Sequence, residues 1–418
     1  MTAIAGIRGT GDWGTDERPK NFRELILFRN PNGTAPFFAL TAKMAEESVN
    51  DPEFAWWDEP NDIIRVRLNG AITNVATAIV VDSGDPTAAF PDGGDAAGAN
   101  VGWGNATHLK PGDLLLEERA AEPSIQTNEI MMVTAVASAT NFTVARSQAG
   151  TTANGGGIAD NAYLLKIGSA YEEGSAAPTA TSRNPIKYFN YTQIFKSAYE
   201  ATRTANKTKA RTGNVIENDK KRKIWDHARD IELQFIFGQR FETTGANGKP
   251  LRYTGGLRQF ISQTTTTIFG GTTTLAQYLA ASYKVFDWDS PGGQSRIVFC
   301  GNNYLNNLNL LAKLNSQVQF QGTIKQYGME LESFRMPQGT FHLKTHPLFN
   351  KHPIYFSSGI IIDAAATRYR YITDTMFEDN IQTPGADGKK GQWLTECGLE
   401  YRFAGRTMGY HGNFIAAA

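Results

Sequence analysis

Ile216-Glu217-Asn218-Asp219-Lys220-Lys221-Arg222-Lys223-Ile224-Trp225-Asp226-His227-Ala228-Arg229-Asp230-Ile231-Glu232-Leu233-Gln234-Phe235-Ile236-Phe237-Gly238-Gln239-Arg240-Phe241 is the stretch on which the fold turns. It predicts one long helix over about 216–241. Ile224, Ala228, Ile231 and Phe235 recur at spacings of four, three and four, the period of a single helical face, with Trp225 and Ile236 beside them. Lys220, Lys221, Arg222 and Lys223 crowd the first turns, where the helix dipole disfavours positive charge. Compensating groups are therefore expected nearby.

Downstream, Thr243-Thr244-Gly245-Ala246-Asn247-Gly248 ends the helix. Thr274–Phe286 and Asn302–Leu314 then read as helices around a strand, Ser295–Cys300. Strands are expected near Phe341–Thr345, Ile354–Phe356, Ile360–Asp363, Arg368–Thr373 and Trp393–Phe403, giving an α/β domain over about 264–395. Upstream, Tyr188–Tyr199 alternates aromatics like a strand. Residues 62–170 read as all-β: Ile63–Leu68, Ala76–Val81, Asp113–Leu116, Ile130–Val136, Asn141–Arg146 and Tyr163–Ile167 are short, β-branched and punctuated by Gly, Asp and Pro. A run of this kind makes a small barrel or sandwich. Pro36 opens a helix expected to reach Val49, with Phe37, Leu40 and Met44 on one face. Phe54-Ala55-Trp56-Trp57-Asp58 follows as an aromatic cluster in a polar turn region. Residues 1–35 carry one short apolar run, Leu25-Ile26-Leu27-Phe28, which cannot bury much area alone, so the segment is expected to be either mobile or laid against something else.

The 418 residues suggest two or three domains. Forty-one Lys and Arg balance 41 Asp and Glu, which argues against a dedicated nucleic-acid binder. The balance is uneven along the chain. Residues 51–180 hold 17 acids and 6 bases, whereas residues 181–260 hold 16 bases and 7 acids. Cys300 and Cys397 are too few for a disulfide framework or a multi-cysteine metal site, and both are expected as buried, inert thiols in a reducing compartment. No segment has the apolar length of a signal peptide or membrane span, so a soluble protein made in a cytoplasm is expected.

Candidate chemistry is weak throughout. Gly9-Thr10-Gly11-Asp12-Trp13-Gly14 fits a dinucleotide-binding spacing but lacks the preceding strand and following helix, and reads as a flexible arm. His342, His346 and His352 are close in sequence, and His342 and His346 would share a face, which leaves a weak metal site conceivable; zinc usually wants a carboxylate or cysteine as well, and Pro347 and Pro353 with a strand-and-turn pattern argue against it. His227 reads as a surface or packing residue. The acid pairs Glu46-Glu47, Glu117-Glu118 and Glu172-Glu173 point different ways on a strand and read as solvated, not as a hydrolytic pair. No Ser-His-Asp elbow, Walker loop or HExxH motif occurs. The run Lys220–Lys223 fits an acidic partner surface better than nucleic acid. No catalytic residue, cofactor or metal ligand is expected, so the chain is not read as an enzyme.

Several ordered motifs resemble tailed-phage major capsid proteins of the Hong Kong 97 type. Thr34-Ala35-Pro36-Phe37 and Phe54-Ala55-Trp56-Trp57-Asp58 look like the opening of a subgroup with a β-barrel inserted in its extended loop. Gly168-Ser169-Ala170-Tyr171-Glu172-Glu173-Gly174-Ser175 resembles the return from that insertion. Asn190-Tyr191-Thr192-Gln193-Ile194-Phe195 is similar to the strand before the family's spine helix, Ala228-Arg229-Asp230-Ile231-Glu232 to that helix, and Tyr253-Thr254-Gly255-Gly256-Leu257 to the turn after it. The arm of residues 1–33 and the Gly-rich 82–104 have no counterpart. The resemblance implies an α+β fold. It would comprise an N-terminal arm (1–55) and an extended loop (56–185) with a barrel at about 70–167. A peripheral domain (186–263) would carry the spine helix, followed by an axial domain (264–395) and C-terminal strands (396–418) returning to the peripheral domain.

The function it implies is self-assembly into hexamers and pentamers of an icosahedral head around double-stranded DNA, bound without sequence recognition and without a membrane. The head would be built in the host bacterial cytoplasm, with portal, scaffolding and decoration proteins as partners. Acids of 113–173, among them Glu117, Glu118, Glu172 and Glu173, are expected to approach Lys and Arg of 196–229, among them Lys220, Lys221, Arg222 and Lys223, of another subunit. Nothing in the sequence supports covalent cross-linking. An encapsulin-like compartment shell, a tail or baseplate protein, and a glycan-binding or hydrolytic β-sandwich are the competing readings.

Overall fold

The computed structural model describes residues 36–41, 44–59, 64–82, 106–118, 128–178, 180, 185–208, 213–314, 320–326 and 329–417. The Gly9 motif, the arm before Pro36 and most of the Gly-rich 82–104 lie outside them. The fold is mixed α+β with strands dominating.

The long helix runs Val215–Phe237, opened by the Asn214 side chain, which accepts from the Ile216 N–H at 3.0 Å. It stops at Phe237, four residues short of Phe241, with Gly238 as its cap. A Cβ on Gly238 would lie 2.5 Å from the Gln234 carbonyl, and one on Gly256 would lie 2.6 Å from the Gly238 nitrogen. Two glycine backbones thus meet at the helix end, and the Gly256 N–H closes onto the Gly238 carbonyl. Phe241–Thr244 instead pairs antiparallel with Pro250–Tyr253 as a hairpin. The predicted stripe is half correct. Ile231 and Phe235 are fully buried, whereas Ile224 is exposed, and His227 and Glu232 take inward positions.

Beside this helix lies a four-stranded sheet in the order Ala45–Ser48, Thr367–Glu378, Gly388–Tyr401, Gln193–Thr202. The first pair is parallel and the others are antiparallel. Tyr401 Oη donates to the Phe235 carbonyl at 2.7 Å and ties sheet to helix. A seven-stranded sheet follows the order Thr266–Ile268, Gly409–Gly412, Gly359–Ile362, Ser295–Cys300, Gly339–Thr345, Met329–Met336, Phe320–Gln326. Leu275–Ser282 and Asn302–Leu314 are helices here, close to their predicted bounds. One core joins Phe235, Tyr369 and Leu399 with Ile297, Phe299 and Ile360, so helix, small sheet and large sheet share their apolar interior.

Strand membership cuts across the predicted boundary between 395 and 396, which falls inside Gly388–Tyr401. Thr367–Glu378 and Gly388–Tyr401 pair with each other and lie in one sheet with Gln193–Thr202, whereas Gly409–Gly412 joins the seven-stranded sheet and Ile415–Ala416 pairs with Thr272–Thr273. Other local corrections have simple causes. The first helix covers only Pro36–Thr41, because the chain at Ala45–Ser48 pairs with Arg368–Tyr371 and Glu47 meets Arg368 and Arg370. Phe54–Asp58 belongs to a strand, Glu53–Asp58, with Phe54 and Trp56 inward and Trp57 outward. Tyr188–Tyr199 is two strands broken at Thr192, whose N–H turns to the Pro52 carbonyl. Tyr355–Ser357 is a 3-10 turn, because His352 Nδ1 accepts from the N–H groups of Ile354 and Tyr355.

The all-β segment is a separate module. Its six strands are Arg65–Arg67, Tyr163–Ser169, Asp113–Glu118, Ile130–Val136, Asn141–Ala145 and Ala78–Val80, in that spatial order. The two outer strands are themselves bridged, with Leu68 opposite Val81, Asn69 N–H on the Val80 carbonyl and Asp82 N–H on the Arg67 carbonyl. The sheet therefore closes on itself around its own core of Val66, Leu115, Met131, Phe142 and Leu164. It joins the rest through Glu53–Asp58 and Ile186–Tyr191, which pair as a two-stranded ribbon.

Candidate assembly surface

The ribbon is fastened to the body at its root. Asn190 is fully buried, and its Nδ2 donates to the carbonyls of Gly255 (3.1 Å) and Leu399 (2.9 Å). Its Oδ1 accepts from the N–H groups of Gly255 (2.7 Å) and Tyr191 (2.9 Å). Every polar atom of that amide is used, which fixes the direction in which the ribbon leaves. Trp56 stacks on Tyr188 at 6.1 Å and tilts against Phe260 at 5.8 Å, while Trp57 on the other face is 64% exposed.

The eight charged residues singled out from sequence divide sharply. Glu117 is buried and accepts from Asn154 Nδ2 at 2.9 Å. Glu118 holds Arg65 in a two-point ion pair. Both acids serve the module's own interior and neither faces outward as a contact. Glu172 and Glu173 sit in an exposed turn beyond the last module strand. On the long helix, the Lys220 ammonium lies 3.5 Å from the centre of the Phe377 ring and 5.9 Å from Trp393. That placement answers the unfavourable dipole, since the ring faces supply the missing negative potential. Arg222 pairs with Asp219 at 3.2 Å and Lys223 with Asp226 at 4.0 Å, both one helical turn away. Lys221 points to solvent. The outward charges are thus Glu172 and Glu173 on one element and Lys221 and Arg222 on another, and within the chain they do not meet.

A contact surface invisible to the charge argument is the hairpin after the long helix. Phe241 and Tyr253 are directly opposed, and Phe241, Leu251 and Tyr253 are all exposed. A two-stranded hairpin with aromatic side chains in water is marginal alone. The sequence signal for it is Phe241 and Tyr253 on either side of the Gly245-Ala246-Asn247-Gly248 turn, which a helix expected to run to Phe241 overlooks.

The histidines are structural. His227 is buried between Ser197 Oγ (3.2 Å) and Thr395 Oγ1 (2.7 Å), and burial holds its pKa down. His342 Nδ1 lies 3.2 Å from Ser333 Oγ, and its pKa is likewise lowered by burial. His346 Nε2 is 2.6 Å from Glu232 Oε1, while His352 caps an exposed turn. Among the described residues no group of three or more His, Cys, Asp or Glu is placed to hold a metal ion. Both cysteines are buried, and burial pushes the Cys397 thiol up to about 12. No described helix is long and apolar enough to cross a membrane.

A family model described as the SU10 major capsid protein matches residues 6–409. The chain belongs to that family. A major capsid protein of Pseudomonas phage PaMx41 is 26% identical over 400 residues, spanning 94% of this chain and 88% of its own length. Among solved structures, the capsid of a native GTA particle computed with C5 symmetry aligns over 98% of both chains at 9% identity and a TM-score of 0.43. A Mycobacterium phage Bobi structure aligns over 95% of this chain and 96% of its own, at 7% identity and a TM-score of 0.41. The capsid of Myoviridae phage XM1 covers 58% of this chain and 80% of its own, at 12% identity and a TM-score of 0.38. This chain is a phage major capsid protein, a structural component of the virion that associates with its own copies.

Proposed function

We propose that this capsid protein is of the Hong Kong 97 type and builds hexamers and pentamers of an icosahedral head around double-stranded DNA. In this reading the ribbon of Glu53–Asp58 and Ile186–Tyr191 is the base of an extended loop, and the closed six-stranded module is the barrel inserted in it. The long helix with the four-stranded sheet forms the peripheral unit. Residues 264–362 with the C-terminal strands 409–416 form the axial unit, a division that follows strand pairing instead of sequence order.

The observation that carries the reading is the module's independence. Among the described residues it has its own core and one two-stranded attachment, so it can lie over a neighbouring subunit without disturbing the fold that holds it. A shell multiplies moderate contacts through effective concentration, so no one interface need be tight. Scaffolding, portal and decoration proteins would be the remaining partners, with assembly in the bacterial cytoplasm. DNA would be enclosed without sequence-specific contacts, consistent with a chain that lacks a basic excess.

The charge pairing narrows to Glu172 and Glu173 of one subunit against Lys221 and Arg222 of another, because Glu117 and Glu118 are engaged inside the module. The test is assembly, followed by sedimentation, of the full chain carrying Lys221→Glu and Arg222→Glu. The same variant is then combined with Glu172→Lys and Glu173→Lys. The pairing predicts loss of particles in the first and recovery in the second. Loss in both sinks it.

A further inference from the structure

A cleft of about 660 Å³ opens beside the long helix, with Leu233, Phe237, Leu348 and Tyr355 on its walls and Asp230 and Arg258 at its edge. Its floor is aromatic. Phe237 stacks on Tyr355 at 4.6 Å, and Phe349 lies 6.0 Å from Phe237. Leu233 is exposed on the wall, and so is Ile354 next to Tyr355. Apolar surface gathered in this way marks a place where another molecule sits.

The ribbon carries a side chain of matching kind. Trp57 is 64% exposed on its outer face, turned away from the packing of Trp56 against Tyr188 and Phe260. Asp58 turns inward and lines a small cavity with Trp56. Glu59, the next residue, is exposed, and the alternation of an extended chain puts it on the side of Trp57.

Most charges near both features are already matched. On the ribbon, Lys187 lies directly opposite Trp57 and pairs with Glu53 at 3.2 Å. At the cleft, Arg229 pairs with Asp230 at 3.5 Å and with Asp226 at 3.2 Å, and Asp226 also meets Lys223. Among the described residues that leaves Glu59 on the ribbon and Arg258 at the cleft without an ion-pair partner. The Arg258 guanidinium lies 3.7 Å from the centre of the Tyr410 ring. Lys351, beside His352 of the cleft, is exposed and has the same sign as Arg258.

The Asn190 amide fixes how the ribbon leaves its own body, and in that position Trp57 faces solvent. We infer that Trp57 of one copy inserts into the aromatic cleft of a second copy, with Glu59 against that copy's Arg258. An aromatic anchor in a pocket, rimmed by polar groups, is how protein interfaces concentrate their affinity. Ribbon and cleft are different patches of one chain, so the contact is head-to-tail and closes into rings where the rotation allows. The inference rests on the shell reading and supplies it with a contact between neighbours in a capsomer.

The test places p-benzoylphenylalanine, a photoreactive aromatic residue, at position 57 of the full chain and irradiates the assembled material. The control carries it at position 75, which is 77% exposed on the module. The contact predicts a product of dimer mass, joined to the peptide of residues 230–239 or 348–355, at least ~5-fold above the control. Glu59→Arg should return the yield to the control level, and adding Arg258→Glu should restore it. The same two variants in the otherwise unaltered chain give a second readout, sedimenting particles lost with the first change and regained with both. Particles that form while the dimer yield stays at the control level overturn the inference alone. So does a product of monomer mass, a dimer joined elsewhere, or a yield that the charge variants do not lower and restore in turn. A chain that forms neither capsomers nor particles overturns the shell reading along with it.

Discussion

Charge is used differently in the closed β-module and on the long helix. The module is the acidic part of the chain, yet four of its bases, Arg65, Arg67, Arg146 and Lys166, are spent inside it. Arg146 grips Glu129 through two nitrogens and the carbonyls of Thr73 and Ala76 through a third. Lys166 meets buried Asp113 at 2.6 Å, Arg65 meets Glu118 and Arg67 meets Asp82. On the helix, basic side chains stay at the surface, with neighbours one turn away or a ring face beneath. A count of acids and bases therefore measures different things in the two regions. In the module it largely describes internal fastening, whereas on the helix it describes charge offered outward.

The largest effect that would break this contrast is expected from Arg146→Ala. Glu129 is fully buried, and removing its partner leaves an uncompensated carboxylate, a cost of about 3–5 kcal/mol. Calorimetry should show the module melting earlier while the body, with its separate core, keeps its transition. A uniform shift of all unfolding would contradict the module's independence. The same site has an acid limit. Burial pushes the Glu129 pKa up, but the hydrogen bonds from Arg146 and from the Ser147 N–H outweigh it and hold the group below 4.5. Its contribution is thus present above about pH 4.5 and is lost as pH falls through the lowered value.

Next in size is His411, which belongs to the body. It is fully buried, its Nδ1 lies 2.9 Å from Tyr304 Oη, and burial lowers its pKa to about 4. Unfolded, it would titrate near 6.5, so the folded state binds fewer protons between those values. Stability is complete above 6.5 and falls by about 3 kcal/mol as pH drops towards 4. His411→Phe should flatten that slope in denaturant titrations at several pH values. An unchanged slope would place the acid sensitivity elsewhere.

The smallest effect concerns the helix surface. Lys220→Ala removes the cation over Phe377 and should cost about 0.5–1 kcal/mol, with a change in Trp393 fluorescence. A larger loss would mean that Lys220 is fastened as firmly as the module's bases, and the contrast would weaken.

Local patterns made much of this legible. Alternation of β-branched residues located all six module strands, and the helical period found Ile231 and Phe235 as core. What escaped depended on distant partners. Nothing near Ala45 announces a parallel pairing with Arg368, more than three hundred residues away. The helix end at Gly238 required Gly256 to approach its backbone, a contact made only in the folded chain. Adjacent Glu117 and Glu118 look solvated until Asn154 and Arg65 are placed beside them. Glu232 reads as a polar interruption of the stripe, yet it is the buried acceptor for the N–H groups of Phe37 and Phe38.

Electron microscopy of the expressed full chain tests the central claim most directly. The account predicts closed particles built of capsomers, with each six-stranded module carried on its ribbon over a neighbouring subunit. A monodisperse monomer, or particles in which every module packs against its own long helix, would contradict it.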